Sequence, residues 1–385
     1  MQNFTFHNPT KIVFGKGQIA AIAQEIPADA RVLVTYGAGS IKRNGVYGAV
    51  MAALPGRAVG AFGGIEPNPK YETLMRAVEK IRAEGWDYLL AVGGGSVLDG
   101  TKFIAAAVPF TGGDPWDIVA KGAEVKSAVP IGAVLTLPAT GSESNAFAVI
   151  SRESCGDKLA FSTPLVFPKF AVLDPEATFS LPPRQVANGV VDAFAHTLEQ
   201  YLTFPAAAPL QDRFAEGILL TLIEVGPGTL ADPTDYEARA AFMWTATLAL
   251  NGLIGCGVPQ DWVTHMIGHE ITAMHGLDHA QTLAVVFPAV MDARRGPKRD
   301  KLLQYGERVW GIRSGSEDER IDAAIARTRE FFSSLGVKTR FSEYGIGADV
   351  REKVAERFEK RGWRKLGERG DVGPKEASEI LAYSL

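Results

Sequence analysis

The chain has 385 residues, more than one hydrophobic core usually supports, and this length predicts two domains. Its composition is that of an ordinary globular protein: 46% of the residues are hydrophobic, 22% are charged, and the formal net charge is -4. This charge argues against a nucleic-acid partner. The two cysteines, Cys155 and Cys256, are too few for a disulfide framework and are typical of a reducing compartment. No stretch approaches the ~18 uninterrupted apolar residues of a membrane span, so we expect a cytoplasmic protein that has no membrane partner.

Apolar, strand-like runs alternate with helical patterns through roughly the first 170 residues. The runs are RVLVTYG, AVGAFGG, YLLAVGGG, AVPIGAVLTLP and KFAVLD. In YETLMRAVEKIRAEG, apolar residues recur at helical spacing and Gly85 supplies a stop signal. The alternation predicts a doubly wound, Rossmann-like parallel sheet with crossover helices.

The pattern changes after LDPEATFSLPPRQ, where long helical segments dominate and β-branched runs nearly vanish. We therefore predict an α/β domain over residues 1–178 and an all-α domain over residues 179–385. The tail VREKVAERFEKRGWRKLGERGD mixes charges of both signs, which is typical of a solvated helix face.

The first chemical motif is YLLAVGGGSVLDGTKF, in which a buried strand leads into Gly93–Ser96 and a helix begins near Val97. Such a turn aims backbone N–H groups and a helix dipole at an anion. It lacks the spacing of the G-x-G-x-x-G fingerprint, so a tight structural turn is the alternative to a pyrophosphate site. Asp99, in the first helical turn, either complements the dipole or orients a nicotinamide or ribose hydroxyl.

A second strand end, VLVTYGAGSIKRNGV, contains the loop Gly37–Ser40, whose glycines permit close backbone approach to a ligand. An NAD site normally places an acidic residue on the adenosine ribose, but residues 31–50 contain no Asp or Glu. Lys42 and Arg43 follow the serine, and this favours NADPH, because an acidic residue would repel the 2′-phosphate. An ordinary surface position is the alternative for both cations.

A third strand end, LTLPATGSESNAFAVI, offers short hydrogen-bonding side chains that include Thr136, Thr140 and Asn145. Alone, this segment is typical of a polar loop with Asx and Ser/Thr turns. Ligands bind at the carboxyl ends of the strands in open α/β sheets, so three polar strand ends together predict one cofactor cleft.

A candidate metal site begins in NGVVDAFAHTLEQYL. Asp192 and His196 lie four residues apart on a predicted helix and project from one face. The helix is apolar nearly all round, so a buried Asp and His need polar partners, and a divalent cation would satisfy both.

Four of the six histidines fall in DWVTHMIGHEITAMHGLDHAQTLAVVFPAV. His265 and His269 share a helix face, Gly276 is expected to end that helix, and His279 opens the next one behind the N-cap Asp278. A helix N-terminus favours the neutral imidazole that binds metals. A single histidine is ordinarily a hydrogen-bonded core residue, whereas this concentration favours a metal site. The spacing differs from the protease motif H-E-x-x-H, which disfavours peptide hydrolysis.

Together these motifs resemble those of the iron-containing, metal-dependent alcohol dehydrogenase family, close to its butanol dehydrogenase and NADPH-dependent aldehyde reductase branch. The resemblance runs nearly end to end and is carried by FGKG, GGIEPNP at 63–69, GGGSVLDGTK at 93–102, LPATGSESN at 137–145, D-x-x-x-H at 192–196 and the histidines of 265–279. It implies a dehydroquinate synthase-like architecture, with a dinucleotide-binding α/β domain and an α-helical, metal-binding catalytic domain.

The resemblance also implies roles for individual residues. It assigns one divalent metal, Fe²⁺ or Zn²⁺, to Asp192, His196, His265 and His279, and places His269 beside the nicotinamide. It gives His275 no ligand role. It assigns NADP(H) to Gly37, Ala38, Gly39, Ser40, Asn68, Gly94, Gly95, Ser96, Asp99, Thr136, Thr140, Asn145 and Lys158. The loop Gly37–Ser40 would contact the 2′-phosphate, and the methyl group of Ala38, where the branch commonly has glycine, would weaken that contact.

The implied reaction is hydride transfer between NADPH and small-molecule aldehydes or primary alcohols. The metal would polarise the aldehyde oxygen, and water or His269 would supply the proton. Two alternatives stay open. A non-redox lyase of the dehydroquinate synthase type would bring more basic residues to its cleft than we find between residues 180 and 290. A non-catalytic metal- or cofactor-binding module would need no open coordination position.

The resemblance further implies a homo-oligomer, in the first place a dimer. The segment FTFHNPTKIVFG is a candidate for pairing with a second copy across a two-fold axis. Phe147, Trp244 and Trp262 are candidates for lining an apolar substrate channel, with core packing as the alternative.

Overall fold

The computed structural model describes residues 1–385, which divide into two compact units. The sheet unit comprises His7–Leu181 and Pro233–Asn251, and the helical unit comprises Met1–Phe6, Pro182–Asp232 and Gly252–Leu385. The division at Leu181 lies close to the boundary expected at residue 178. Pro233–Asn251, which the sequence pattern groups with the helical domain, belongs to the sheet unit instead.

Six strands of the sheet unit form one parallel sheet, in the order β1-β8-β5-β4-β2-β3, and β6 and β7 form an antiparallel hairpin. The strands are β1 Lys11–Phe14, β2 Val32–Thr35, β3 Val59–Phe62, β4 Tyr88–Gly94, β5 Ile131–Leu137, β6 Phe147–Arg152, β7 Asp157–Ser162 and β8 Phe170–Leu173. In register, Val32 lies opposite Tyr88 and Leu89 lies opposite Ile131. The parallel α/β sheet predicted from the sequence is confirmed.

Helices cover both faces of this sheet. They are α1 Ile22–Glu25, α2 Ser40–Arg43, α3 Val46–Ala52, α4 Tyr71–Glu84, α5 Gly95–Ala107 and α6 Trp116–Ala120, joined by α9 Tyr236–Ala249 from the later segment. Successive strand residues alternate between the two faces: Leu33 packs in the core beneath α4 and α5, whereas Val32 and Val34 pack in the core beneath α1 and α3. Helix α4 ends at Gly85, whose φ of 71° is left-handed, as the sequence predicts.

The helical unit contains no strand. Its helices are α7 Pro183–Tyr201, α8 Pro209–Ala231, α10 Val263–His275, α11 His279–Ala293, α12 Arg299–Arg308, α13 Glu317–Ser334, α14 Val350–Arg361 and α15 Pro374–Leu381. Ile267 of α10, Val286 of α11 and Phe358 of α14 meet in one buried core. The expected all-α second domain is confirmed for this part of the chain.

Helix α8 is long and apolar enough to cross a membrane by length and composition alone, a test that core helices of soluble proteins also pass. Two observations favour a place in the core of the helical unit. Leu219 and Leu222 are fully buried, and the buried Glu216 carboxylate pairs with Arg308 of α12.

The N-terminal segment divides between the two units. Lys11–Phe14 forms the edge strand β1 and pairs in parallel with β8 of the same chain, so these residues complete their own sheet. Gln2 belongs to the helical unit, where its N–H donates to the carbonyl of Gly257. Pairing of this segment with a second copy stays a prediction.

Candidate metal centre and cofactor site

Helix α7 carries the first two candidate ligands. It is buried almost continuously from Val186 onward, because its sequence is apolar on nearly every face. Asp192 and His196 project from the same side, and Nδ1 of His196 lies 3.9 Å from Oδ2 of Asp192. Both side chains are 5% exposed, so a carboxylate and an imidazole share one almost dry position in the core.

Helices α10 and α11 carry the other histidines, joined by a short turn. Gly276 ends α10 in a left-handed conformation with φ 70°, and His279 is the first residue of α11. Asp278 is the N-cap of α11, and its N–H donates to the side chain of Gln281. Arg184 and Asn188 of α7 both donate to the Asp278 carboxylate, and these bonds fix the start of α11 against α7.

The structure brings the four predicted metal ligands together. Ligand atoms of Asp192, His265 and His279 all lie within 4.8 Å of one another. The ring of His196 stacks on that of His265 at 4.7 Å between centroids, and Nε2 of His279 lies 3.9 Å from Oδ1 of Asp192. Three imidazoles and one carboxylate are donors that suit both Zn²⁺ and Fe²⁺, so these residues fit the predicted metal.

Two further residues border this cluster. The ring of His269 lies 5.1 Å from that of His279 and 6.4 Å from that of His265. Trp262 packs edge-on to His265 at 5.1 Å. Of the three aromatic residues considered for a substrate channel, Trp262 lies at the cluster, whereas Phe147 is exposed and Trp244 packs against Phe14 in the sheet unit. His275, at the end of α10, is exposed, and the family resemblance implies no ligand role for it.

Glu270 points away from this cluster. Its carboxylate is 1% exposed and pairs with Arg357 and Arg361 of α14. The residue that follows His269 in the sequence is therefore an anchor between α10 and α14, in agreement with the departure from the protease motif.

In the sheet unit, the glycine run after β4 lies in tight packing. A Cβ atom on Gly94 would lie 2.8 Å from the Cβ of Leu137, and one on Gly95 would lie 2.6 Å from Cγ2 of Thr140. These neighbours belong to the end of β5 and the loop after it, so only glycine lets the two strand ends approach this closely. Ser96 accepts a hydrogen bond from the N–H of Asn68, whose φ of 54° is left-handed.

The loop Gly37–Ser40 joins β2 to α2. Gly39 has a φ of 90°, which requires glycine, whereas Ala38 has no left-handed backbone and is exposed. Lys42 and Arg43 are exposed, and the ammonium group of Lys42 lies 4.9 Å from the ring centre of Tyr36. The cations that favour NADPH are therefore accessible at the end of β2.

Asp99 and Asn145 hold neighbouring loops together. The Asp99 carboxylate accepts from the Ser142 hydroxyl at 2.7 Å and from the Val149 N–H at 2.9 Å. The Asn145 amide donates to the carbonyls of Gly141 and Leu250. The sequence leaves two roles open for Asp99, and these contacts add a third, because Asp99 supports the loop after β5. Contacts of Asp99 and Asn145 with a cofactor stay predictions, as do those of the buried Thr136 and Lys158.

Lys102 is a buried residue of the cofactor region that the sequence pattern does not reveal. Its ammonium group donates to the Ser142 hydroxyl at 2.8 Å, the Asn145 side chain at 3.0 Å and the Phe147 carbonyl at 2.8 Å. Burial lowers the pKa of Lys102 to about 8, while the nearby Asp99 opposes that shift. Lys102 and Asp99 thus share the Ser142 hydroxyl beneath the strand-end loops. The signal in the sequence is a lysine at i+3 from Asp99 in an otherwise apolar helix.

Two family models match the chain: "Iron-containing alcohol dehydrogenase" over residues 9–175, and the C-terminal model of the Fe-containing alcohol dehydrogenase family over residues 186–362. The NADPH-dependent aldehyde reductase YqhD of Escherichia coli is 63% identical over 374 residues, which cover 97% of each chain. The NADP-dependent alcohol dehydrogenase 3 of Entamoeba histolytica is 42% identical over 387 residues, covering 99% of this chain and 98% of that one.

Solved structures agree with the matches to the family models. The crystal structure of E. coli YqhD superposes with a TM-score of 0.98 at 60% identity and covers 100% of this chain and 99% of that chain. The NADH-dependent butanol dehydrogenase A of Thermotoga maritima gives a TM-score of 0.94 at 34% identity, covering 100% and 99%. The chain belongs to the iron-containing alcohol dehydrogenase family, and the resemblance drawn from its motifs is confirmed.

Proposed function

We propose that this protein is a metal-dependent, NADP(H)-using alcohol dehydrogenase and aldehyde reductase that acts on aldehydes and primary alcohols of broad range. The observation that carries the proposal is the cluster of Asp192, His265 and His279, with His196 stacked on His265, in a chain of this family. Two of its relatives are named as an NADPH-dependent aldehyde reductase and an NADP-dependent alcohol dehydrogenase. Each unit supplies one part of the chemistry.

The helical unit supplies the metal site. Asp192, His196, His265 and His279 would hold the divalent cation, and their carboxylate and imidazole groups suit such a metal. When bound, the metal polarises the aldehyde carbonyl as a Lewis acid, and NADPH supplies the hydride. His269, 6% exposed and beside His279, moves the proton to or from the substrate oxygen. Asp192, His196, His265 and His269 are almost fully buried and His279 is 22% exposed, so most of the site is shielded from bulk water.

The sheet unit supplies the cofactor site. The strand-end loops, with Gly94 and Gly95 at the start of α5, present backbone N–H groups and a helix N-terminus to the pyrophosphate. The loop Gly37–Ser40 and the exposed Lys42 and Arg43 bind the 2′-phosphate. Support comes from the lack of any acidic residue over 31–50 and from the two NADP(H)-using relatives. The T. maritima relative is named for NADH, so the preference for NADPH needs a direct test.

Two variants test the metal role. His265→Ala removes a ligand from the centre of the cluster, whereas His275→Ala removes an exposed histidine from the end of the same helix. We expect His265→Ala to abolish NADPH oxidation with butanal and to leave the dissociation constant of NADPH largely unchanged. His275→Ala should retain both. Equal turnover in His265→Ala and the parent would refute the metal assignment.

The same assay separates the alternatives. A lyase of the dehydroquinate synthase type or a binding module would take up cofactor and metal without oxidising NADPH. No feature of the helical unit favours either alternative over the reductase. We also propose a homodimer in the cytoplasm, and light scattering on the eluting protein would measure the oligomeric state.

A further inference from the structure

Glu199 is a carboxylate on α7 that has no role in the reaction described above. It lies one helical turn beyond His196, and its side chain is completely buried. A carboxylate without access to water needs its hydrogen bonds from the protein. The identity of its donors therefore indicates what Glu199 does.

Two backbone N–H donors and one ring nitrogen at the start of α10 lie within hydrogen-bond distance of this carboxylate. Oε2 accepts from the N–H of Trp262 at 3.0 Å, and Oε1 accepts from the N–H of His265 at 3.1 Å. Oε1 also lies 2.9 Å from Nδ1 of the His265 ring. Trp262 is the N-cap of α10 and has no side-chain cap of its own, so Glu199 provides the cap from another helix.

The backbone at this point needs such support. Trp262 has a φ of 67°, a left-handed conformation that bulky residues adopt only when their surroundings enforce it. The neighbouring Asp261 N–H donates to the Glu199 carbonyl, and Asp261 is held in turn by the buried Lys298 at 2.9 Å. Both the side chain and the backbone of Glu199 thus fix the turn that leads into α10.

The contact with the His265 ring has a chemical consequence. A carboxylate acceptor at Nδ1 holds the ring proton on that nitrogen and leaves Nε2 as the atom with a lone pair for a metal. Because Glu199 and the ligands Asp192 and His196 share α7, one helix sets both the ligands and the orientation of the opposing ring.

We propose that Glu199 is a positioning residue of the metal centre, which fixes the tautomer and the orientation of His265 and ties the start of α10 to α7. This inference rests on the proposed ligand role of His265. It assigns Glu199 no contact with the metal or the substrate.

The test is the affinity of the metal-stripped, full-length protein for Zn²⁺ and Co²⁺, measured by competition with a chromophoric chelator. In Glu199→Gln an amide NH₂ replaces one acceptor oxygen and faces N–H donors, and in Glu199→Asp the carboxylate is retracted by one methylene. We expect both variants to bind more weakly by about 10- to 100-fold. The absorption spectrum of bound Co²⁺ should also shift, because the geometry of one ligand changes.

Glu216→Gln is the matched control. Glu216 is a second buried carboxylate of the helical unit, and its partners are Tyr201, Arg213, Gln304 and Arg308 rather than the ligand histidines. This variant should lose thermal stability while its metal affinity stays that of the parent. If the role of Glu199 were purely structural, its variants would also lose thermal stability and keep the metal affinity of the parent.

The outcomes are distinct. If the parent binds one metal and the Glu199 variants bind it equally well, the positioning role is wrong and the proposed function stands. If Glu216→Gln weakens binding as much as Glu199→Gln does, the effect is general destabilisation and the positioning role is again refuted. If the parent itself binds no metal, the proposed function fails.

Discussion

The ion pairs of Glu270 with Arg357 and Arg361 join α10 to α14, and their contribution to stability can be tested without cofactor or metal. Glu270 is 1% exposed and is the shared partner of Arg357, 26% exposed, and Arg361, 13% exposed. In Glu270→Gln the amide keeps an acceptor oxygen, but both guanidinium groups lose their counter-charge. Since α10 carries His265 and His269, this pairing also holds the helix that bears the candidate site.

The size of the effect follows from burial. Breaking a buried ion pair by removing one partner costs about 3–5 kcal/mol. The two arginines are partly exposed and the glutamine still accepts one hydrogen bond, so we expect about 2–3 kcal/mol here. For a unit of this size, one kcal/mol shifts the midpoint of thermal unfolding by roughly 2–4 °C, which predicts a decrease of roughly 4–12 °C.

The assay is thermal unfolding followed by circular dichroism, with Glu359→Gln as the control. Glu359 lies on α14 and pairs with Arg364, but both side chains are more than half exposed. Surface pairs contribute about 0–1 kcal/mol, so this control should unfold close to the parent. Equal midpoints for Glu270→Gln and Glu359→Gln would refute the reasoning that burial makes the Glu270 pairing important.

Three further predictions concern the cofactor site, each measured as the dissociation constant of NADPH by fluorescence. Lys102→Met removes three hydrogen bonds from the strand-end loops, so it should weaken NADPH binding by at least about tenfold. Unchanged binding would contradict the supporting role of Lys102. Ser40→Asp should weaken the binding of NADPH but not that of NADH, because a carboxylate 4 Å from a phosphate costs up to about 4 kcal/mol per charge pair. Equal losses of affinity for both cofactors would contradict the assignment of this loop to the 2′-phosphate. Gly95→Ala should weaken NADPH binding, because the added Cβ would meet Thr140. The added Cβ of Gly48→Ala meets nothing within 4 Å, so that variant should bind NADPH like the parent. Equal losses of affinity in the two variants would refute the packing argument.

The central strands of the sheet could be predicted from the sequence because they are buried on both faces. Such strands are continuous aliphatic runs, as in YLLAVGGG and AVPIGAVLTLP. Edge strand β1 is different: KIVF is four residues long and half exposed, and nothing in it identifies its partner. The structure pairs this strand with β8, which lies far away in the sequence, while pairing of the segment with a second copy stays a prediction.

The assignment of α9 to the sheet unit could not be predicted for a related reason. Its helical pattern is clear, but its partners are distant in sequence. Arg239 donates to the Thr178 carbonyl across 61 residues, and Thr247 donates to Glu143 across 104. Local periodicity predicts that a helix forms and not which core it joins.

The candidate metal ligands could be located because helical spacing fixes which side chains share a face. Asp192 and His196 at i and i+4 need no tertiary information to be placed together, and the dense histidines of α10 and α11 supply the rest. The roles of Glu199 and Lys102 could not be recognised, because the position of a charged residue in an apolar helix does not reveal its hydrogen-bond partners on other elements. Their roles depend on hydrogen bonds across 66 and about 40 residues, which only the fold brings together.

The most direct test of the central claim is the oxidation of NADPH and NADH with butanal by the metal-stripped protein, before and after anaerobic addition of Zn²⁺ or Fe²⁺. We predict that stripping abolishes NADPH turnover, that at least one of the two metals restores it, and that NADH is oxidised more slowly. Turnover that is indifferent to the metal, or no oxidation of either cofactor after metal is restored, would contradict the assignment of this protein as a metal-dependent aldehyde reductase.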